Sequence, residues 1–229
     1  MSDIFLYIKF GGKIMIKINI LKALVDCGVV AVVRGNTKEV GVNIAKACVK
    51  GNVKGLEVTF TNKYATDIIK ELVNIYEDRE DIVIGAGTVL DAETARVAIL
   101  AGAKYIVSPS FNKETAILCN RYKVPYIPGV MTINEIVSAH EVGVDVVKIF
   151  PGSVYGPSYI KAIKGPLPYA NMMVTGGVNI NNIGDWFKSG VDLVGIGGEL
   201  NNLGEEGKFE EITSICNEYI EKLNMVREG

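Results

Sequence analysis

The chain has 229 residues, of which 48% are hydrophobic and 22% are charged, and its 24 basic and 26 acidic side chains nearly cancel. This length and composition are typical of a globular chain with one sizeable core. No basic cluster is present to follow a phosphodiester backbone, so a nucleic acid is not an expected partner. The 4 cysteines lie far apart and there is 1 histidine, which argues against a zinc site or a disulfide framework; no metal is expected.

The first residues do not predict a membrane segment or an export signal. The apolar run at residues 4–8 is short, and lysines interrupt the residues after it. A membrane-spanning helix needs about 20 apolar residues, and a signal peptide needs a longer apolar core and a small-residue cleavage site. We therefore predict an N-terminal extension over residues 1–17, with Met15 as an alternative start. The expected location is cytoplasmic, without membrane contact.

From residue 18 onward, short apolar runs alternate with segments of helical periodicity. Their spacing leaves room for a strand, a crossover helix and two loops in each repeat. Asp91 and Thr132 have the sequence context of helix N-caps, and Thr132 begins the Thr-x-x-Glu pattern of a capping box. A last amphipathic helix is predicted over residues 210–226. The predicted strands are residues 29–33, 56–60, 82–84, 105–107, 126–127, 144–150, 172–174 and 193–196.

Eight such units, without a linker or a shift in composition, predict a single (β/α)8 TIM barrel over residues 18–229. The N-terminal segment and the last helix are additions to this barrel. An open, doubly wound sheet is the alternative fold, but no strong GxGxxG motif follows the first strand, which favours the closed barrel. Barrel active sites lie where strands end, and glycine, proline or threonine follows each predicted strand.

A lysine interrupts the most apolar of these strands. Lys148 lies within residues 144–150, and burial there favours the neutral, nucleophilic amine. In the second predicted strand, polar and apolar residues alternate so that Glu57 faces the barrel interior. Alternate strands contribute to one interior layer, so we expect Glu57 and Lys148 to meet across the barrel mouth. A purely structural buried ion pair is the alternative interpretation.

Two further groups are expected at the same rim. Glycines follow the seventh and eighth strands, where barrels often bind phosphate through backbone N–H groups; plain tight turns are the alternative. These glycines are Gly176, Gly177, Gly197 and Gly198. Arg34 ends the first strand and is a candidate to bind a carboxylate with two hydrogen bonds. The alternative interpretation is that Arg34 is a solvated residue at the rim and binds no ligand.

Seven segments together resemble the 2-keto-3-deoxy-6-phosphogluconate (KDPG) aldolase family, also called 4-hydroxy-2-oxoglutarate aldolase. They run in the family's order over about residues 20 to 220. The combination of Glu-Val-Thr, Gly-Ala-Gly-Thr and Lys-x-Phe-Pro is highly specific. The segments are VAVVRG (30–35), LEVTF (56–60), GAGTVL (85–90), SP (108–109), IPGV (127–130), KIFPG (148–152) and TGGV (175–178).

The resemblance implies a class I aldolase without a metal or cofactor, assembled as a homotrimer. Such an enzyme cleaves KDPG or 4-hydroxy-2-oxoglutarate to pyruvate and an aldehyde, glyceraldehyde 3-phosphate or glyoxylate. Lys148 would form a Schiff base with the 2-oxo acid, and Glu57 would transfer protons. The resemblance assigns contacts with the pyruvyl end of the substrate to Thr88 and Thr175, and phosphate contacts to Gly176 and Gly177. We add Pro109 and Phe150 as candidate substrate-binding residues and Gly197 and Gly198 as candidate phosphate-binding residues.

Two positions depart from the family pattern. Thr61 stands where many members carry an arginine, and we infer that Arg34 takes over its contact with the substrate carboxylate. Glu199 stands where some members carry a serine that contacts phosphate, which puts a preference for the 6-phosphate in question.

Two other functions remain open from the sequence. One is a phosphosugar isomerase, epimerase or synthase with Glu57 as base, and the other is a non-catalytic sensor of sugar acids.

Overall fold

A computed structural model describes residues 15–228. The first helix, α1, begins at Ile16, two residues before the predicted start of the helical region. The greater part of the predicted extension, residues 1–14, lies outside the described residues. The extension, the domain boundary at residue 18 and the alternative start at Met15 therefore stay predictions.

The strands form one parallel sheet in the order β5-β4-β3-β2-β1-β9-β8-β7-β6. Its first and last strands are consecutive in the chain, with Pro128 alone between them. The sheet therefore closes into a barrel, and the open-sheet alternative is wrong. The strands are β1 (Val29–Val33), β2 (Gly55–Thr59), β3 (Val83–Gly87), β4 (Ile106–Val107), β5 (Tyr126–Ile127), β6 (Gly129–Val130), β7 (Val146–Ile149), β8 (Asn171–Thr175) and β9 (Leu193–Ile196).

The fifth barrel strand is longer than predicted and is divided in two. β5 pairs with β4, and β6 pairs with β7. Pro128 has no N–H to donate between them, but its carbonyl accepts a hydrogen bond of 2.7 Å from the N–H of Lys148. The two short strands therefore act as one staggered barrel strand, and the eight predicted units appear as nine strands.

Helices follow most strands and cover the outside of the barrel. The predicted N-caps form: Asp91 accepts from the N–H of Thr94, and Thr132 makes a complete capping box with Glu135. The last helix extends one residue before and two residues beyond its predicted bounds. The helices are α1 (Ile16–Cys27), α2 (Lys38–Lys50), α3 (Ala65–Ile75), α4 (Ala92–Leu100), α5 (Lys113–Arg121), α6 (Ile133–Glu141), α7 (Gly152–Tyr155), α8 (Pro157–Lys164), α9 (Ile183–Lys188), α10 (Gly198–Glu205) and α11 (Phe209–Glu228).

Two apolar layers hold the barrel together. The larger layer lies between the strands and the surrounding helices. The smaller layer fills the barrel interior and includes Ile20 and Leu24 of α1, which close the amino-terminal end of the barrel. The polar groups of the interior are therefore left at the carboxyl-terminal end. The other residues of the inner layer, which lie in the strands or, for Tyr105, just before one, are Val30, Val83, Tyr105, Val107, Ile127, Val146, Met173 and Leu193.

Tyr105 is the largest side chain of the inner layer. It is fully buried, and its hydroxyl donates a hydrogen bond of 2.8 Å to the carbonyl of Leu56. A Cβ at Gly85 would lie 2.4 Å from the tyrosine ring, so only glycine leaves room for it. Burial, and to a smaller extent the carboxylate of Glu57, raises the pKa of Tyr105 well above its usual value. The hydroxyl therefore stays protonated and forms a neutral floor beneath the site.

Between residues 15 and 228, no helix is long and apolar enough to cross a membrane.

Candidate active site

Lys148 and Glu57 face each other inside the barrel, as expected from the alternation of the second strand and from an interior layer shared by alternate strands. The Lys148 Nζ atom lies 3.6 Å from Glu57 Oε1, and the two side chains are 8% and 1% exposed. Lys148 Nζ also lies 5.3 Å from the centre of the Phe150 ring. The amine thus contacts one carboxylate and one aromatic face, and both groups are close enough to act on a single bound molecule.

Strand pairing and a neighbouring glycine place the carboxylate. Glu57 pairs with Gly85 of β3, and the next inward position on that strand is Gly87. A Cβ at Gly87 would lie 2.1 Å from Glu57 Oε1, far inside van der Waals contact. The missing side chain therefore makes the space in which the carboxylate lies. The Gly-Ala-Gly-Thr segment thus has a structural role as well as its place in the family pattern.

The predicted site residues line one cavity of about 300 Å³ at the carboxyl-terminal end of the barrel. The structure brings together every residue to which the sequence assigned a role in the reaction or in binding. Three lining residues were not assigned such a role: Val32, Thr59 and Gly195. The predicted residues around the cavity are Arg34, Glu57, Thr88, Pro109, Lys148, Phe150, Thr175, Gly176, Gly177, Gly197 and Gly198.

Two buried polar atoms in the cavity have no partner among the described residues. They are Glu57 Oε2 and Thr175 Oγ1. Buried polar atoms in proteins are nearly always hydrogen-bonded to the protein, to water or to a ligand. Thr59 differs, because its hydroxyl is 2.9 Å from that of Thr61. Glu57 and Thr175 are therefore the groups free to bond a molecule held at Lys148.

Thr88 has a strained backbone conformation. Its φ angle is +56°, in the left-handed region that β-branched residues rarely adopt. Strain of this kind persists only where the surrounding structure imposes it, and it is concentrated at functional sites. Thr88 lies in the turn after β3 and lines the same cavity as Lys148.

Arg34 lies at the rim of the cavity. Its side chain is exposed and makes no ion pair with any residue between 15 and 228. Thr61, at the position of the arginine in many family members, is also exposed and bonds Thr59. β1 and β2 are neighbours, so Arg34 and Thr61 follow adjacent strands, but only Arg34 lines the cavity.

A smaller recess of about 220 Å³ adjoins the cavity and shares its glycines. Gly176 and Gly177 have φ angles of +83° and +85°, which a side chain would disfavour. Glu199, in the first turn of α10, and Tyr219 of α11 complete the wall. Burial, and secondly the Glu199 carboxylate, raises the pKa of Tyr219 to about 12. The recess therefore combines N–H groups that favour an anion with a carboxylate that opposes one.

One buried polar residue near the site was missed by the sequence interpretation. Asn201 of α10 is 8% exposed, and its side chain bonds the ends of β1 and β9. An asparagine between the inward-facing Leu200 and Gly204 is the signal that could have identified it. The two strand ends are therefore joined through one side-chain amide.

A larger depression, of about 580 Å³, lies at the opposite end of the barrel near α1 and α11. Its charged groups include Lys54 and Asp81, which form an ion pair of 3.2 Å with each other. Asp81 also pairs with Arg79. None of the buried polar atoms that lack a partner within residues 15–228 belongs to a residue lining this depression, whereas two of them lie in the cavity at Lys148.

Comparison with known proteins assigns the family. The KDPG and KHG aldolase family model matches residues 20–215. The 2-dehydro-3-deoxy-phosphogluconate aldolase of Treponema pallidum (strain Nichols) is 36% identical over 170 residues, which are 74% of this chain and 80% of the relative. The enzyme of the same name from Haemophilus influenzae is 31% identical over 206 residues, 88% of this chain and 95% of the relative.

A solved structure extends the similarity to three dimensions. It is the KDPG aldolase of Legionella pneumophila with pyruvate captured as a covalent carbinolamine intermediate, at 28% sequence identity and a TM-score of 0.79. The match covers 85% of this chain and 95% of that chain. With the family match over most of the barrel, these similarities show that the chain belongs to the KDPG and KHG aldolase family.

Proposed function

We propose that this chain is a class I aldolase that cleaves a 2-keto-3-deoxy sugar acid, such as KDPG, or 4-hydroxy-2-oxoglutarate, through a Schiff base on Lys148. The observation that carries the proposal is the buried contact between Lys148 Nζ and Glu57 Oε1, at 3.6 Å in a cavity at the catalytic end of a barrel. An amine beside a carboxylate supplies both the nucleophile and the proton-transfer group that imine chemistry needs.

In the proposed reaction, the neutral amine of Lys148 attacks the C2 carbonyl carbon of the substrate. The resulting carbinolamine loses water, and Glu57 transfers the protons that this dehydration requires. The protonated imine then withdraws electrons from the C3–C4 bond. Loss of the C4 hydroxyl proton to Glu57 breaks this bond, so an aldehyde forms and an enamine stays on Lys148. Proton return to C3 and hydrolysis of the imine release pyruvate and restore the amine.

The remaining cavity residues bind and orient the substrate in this proposal. Arg34 holds the C1 carboxylate, and the hydroxyl of Thr175 is free to bond the oxygens of the pyruvyl group. Thr88 contacts the same end of the substrate from the turn after β3, while Pro109 and Phe150 form apolar walls beside it. The four glycines bind the far end of the substrate through backbone N–H groups.

Borohydride trapping with pyruvate tests the chemistry. Reduction of the imine attaches the three-carbon unit to the amine, and peptide mass spectrometry locates it. We expect the adduct on the peptide that contains Lys148 and no adduct in the Lys148→Met variant. If saturating pyruvate gives no adduct, or an adduct on another lysine, the Schiff-base mechanism is wrong. An isomerase or epimerase with Glu57 as base would give that negative result.

Turnover on three substrates tests which sugar acid is cleaved. The substrates are the 6-phosphorylated 2-keto-3-deoxy acid, its unphosphorylated analogue and 4-hydroxy-2-oxoglutarate. A coupled assay of pyruvate release gives kcat/KM for each. Cleavage of at least one supports the proposal, and a chain that binds all three without releasing pyruvate would be a sensor.

The proposal also includes a homotrimer in the cytoplasm. Three large apolar side chains on or beside α4, Leu90, Val97 and Leu100, are 56%, 46% and 68% exposed. Val97 and Leu100 lie one turn apart on the same face, and association of subunits would cover them. Light scattering of the purified chain should give three times the mass of the monomer. A monomer at micromolar concentration would contradict this part of the proposal.

A further inference from the structure

Both peptide groups of Arg34 are held by asparagine side chains from other parts of the barrel. Its N–H donates to Oδ1 of Asn201 at 2.7 Å, and its carbonyl accepts from Nδ2 of Asn62 at 2.7 Å. Asn201 lies on α10, and Asn62 lies in the turn between β2 and α3. The residue that we propose binds the substrate carboxylate is thus fixed at its backbone from two sides.

Asn201 continues the parallel ladder where the neighbouring strand ends. The paired residues of β1 and β9 extend to Ala31 and Ile196, after which the chain turns into α10. In a pair of parallel strands, the carbonyl of one residue accepts a hydrogen bond from an N–H of the neighbouring strand. The N–H of the same residue donates to the carbonyl that lies two residues earlier on that neighbouring strand. The Asn201 amide makes this pair of bonds, since it accepts from Arg34 and donates to the Val32 carbonyl at 2.8 Å. One side chain therefore replaces a strand residue and keeps β1 extended as far as Arg34.

The same amide connects Arg34 to the recess. Nδ2 of Asn201 also donates to the carbonyl of Gly197, at 2.5 Å. The turn after β9 and the end of β1 are thus joined through one buried group. A shift of either segment would leave a polar atom of Asn201 without a partner, and because an unpaired buried polar atom is unfavourable, the amide opposes such a shift.

Asn62 holds the other side of the loop after β1. Its Nδ2 donates to the carbonyl of Gly35 at 2.6 Å as well as to that of Arg34. The orientation of the Asn62 amide is itself fixed, because its Oδ1 accepts from the N–H of Tyr64 at 2.8 Å. Gly35 has a φ angle of +81° and would otherwise allow this loop many conformations.

We infer that Asn201 and Asn62 are positioning residues that hold Arg34 so that its guanidinium meets the carboxylate of a 2-oxo acid. A guanidinium bonds a carboxylate through two parallel N–H groups, and this geometry is lost when its backbone moves. Holding the backbone in advance also reduces the ordering cost of binding. The inference rests on the proposed function in two respects, the identity of the ligand as a 2-oxo acid and the contact of Arg34 with its carboxylate.

Calorimetric titration of the full chain with pyruvate tests the inference. The variants are Asn201→Leu, which replaces the amide by an apolar group of similar size, Arg34→Ala, and the double variant. We expect Asn201→Leu to weaken pyruvate binding about tenfold, because the guanidinium is displaced. In the Arg34→Ala background the same change should have an effect of less than about twofold, since contacting residues are not additive.

Two further variants separate positioning from general stability. Asn62→Ser removes the bonds to Arg34 and Gly35 but keeps an oxygen that can accept from Tyr64; it should also weaken pyruvate binding. Asn120→Leu is the matched control, because Asn120 bonds the carbonyl of Val142 at the opposite end of the barrel. It should lower stability without changing pyruvate affinity. Asn62→Ser keeps the test decisive if Asn201→Leu does not fold.

The outcomes distinguish this inference from the proposed function. Three results would overturn the positioning role. The first is a pyruvate affinity in Asn201→Leu or Asn62→Ser equal to that of the wild type. The second is an equal loss of affinity from Asn201→Leu with and without Arg34, and the third is no pyruvate binding by the wild type. Borohydride trapping reports on the imine separately. If pyruvate is trapped on Lys148 but the effects of Asn201→Leu and Arg34→Ala on pyruvate affinity are additive, only the positioning inference is wrong. If the two effects are not additive but no pyruvate is trapped, only the aldolase mechanism is wrong.

Discussion

The carboxylate of Glu57 lies in the space that a side chain at Gly87 would fill. The distance from Glu57 Oε1 to a Cβ built on Gly87 is 2.1 Å, and Cγ and Cδ of Glu57 would be 2.6 and 2.7 Å away. Glu57 is almost completely buried, so its carboxylate has no solvent into which it can swing. Gly87 of β3 thus determines where the carboxylate of Glu57 on β2 lies.

We therefore expect Gly87→Ala to displace Glu57 from Lys148. A displacement of about 1 Å should lower kcat for substrate cleavage about a hundredfold. Pyruvate affinity should change less, because Arg34 is not displaced. Gly165→Ala is the control, since a Cβ there approaches only the carbonyl of Ala162, at 3.4 Å. Wild-type kcat in Gly87→Ala would show that the position of Glu57 does not limit the reaction.

Arg34→Ala should raise KM for 2-oxo acids much more than it lowers kcat or stability. Loss of a charged hydrogen-bonded pair corresponds to a factor of about 10 to 100 in affinity. Arg34→Lys should restore only part of this, because an ammonium cannot bond a carboxylate through two parallel N–H groups. Steady-state kinetics give KM, and urea denaturation gives stability. Arg121→Ala removes an exposed arginine at the end of α5 and serves as control. An unchanged KM would contradict the assignment of Arg34.

Glu199→Gln should favour the phosphorylated substrate. The change removes the negative charge from the wall of the recess but keeps the size of the side chain. We expect the ratio of kcat/KM for phosphorylated and unphosphorylated substrates to rise about tenfold at low salt, and less at high salt because the charge is screened.

Glu93→Gln is the matched control for charge, since Glu93 occupies the first turn of α4, an exposed position away from the recess. If the ratio is the same in Glu199→Gln and in the wild type, the Glu199 carboxylate points away from the bound substrate.

The Tyr105→Phe variant should be less stable than the wild type at neutral pH. It should also lose less stability than the wild type as the pH rises above about 10. The substitution removes the hydrogen bond to Leu56 and costs about 1 kcal/mol. Because the pKa of Tyr105 is raised on folding, the wild type gains stability from its neutral hydroxyl below the pKa of an unfolded tyrosine, about 10. This gain is lost as the pH rises above that value.

Urea denaturation between neutral pH and pH values above about 10 measures this difference. The slope of stability against pH in alkali should be smaller for Tyr105→Phe than for the wild type. Tyr122→Phe, at an exposed position on the outer surface, should behave as the wild type does. Equal slopes for Tyr105→Phe and the wild type would show that folding does not raise the pKa of Tyr105.

The sequence was sufficient for the barrel and for the meeting of Lys148 with Glu57. Alternation in the second strand indicates that Glu57 faces inward, and the interior of a barrel is narrow enough that inward polar groups on facing strands meet. The sixth strand is apolar on both faces, so the inward direction of Lys148 was expected only from the interior layer shared by alternate strands. The division of the fifth strand at Pro128 was not predicted, because a proline between two short apolar pairs also fits a loop.

Asn201 and Asn62 could not be assigned from the sequence for a different reason. Each acts on backbone atoms of residues near Arg34, and Asn201 is separated from Arg34 by 167 positions. A side chain that bonds backbone groups leaves no pattern in the residues it contacts. The need for a glycine at position 87 could not be predicted either, because it arises from the volume of Glu57 on another strand.

The closure of the barrel by α1 gives the cavity a single entrance. Ile20 and Leu24 fill the amino-terminal end, and Lys148 lies above them with little exposure. For an aldolase working here, both products leave through the same opening. In the mechanism that we propose, the aldehyde is free as soon as the carbon–carbon bond breaks, whereas the three-carbon fragment stays covalently attached until its imine is hydrolysed. Release is therefore ordered, and in the reverse direction pyruvate must enter before the aldehyde.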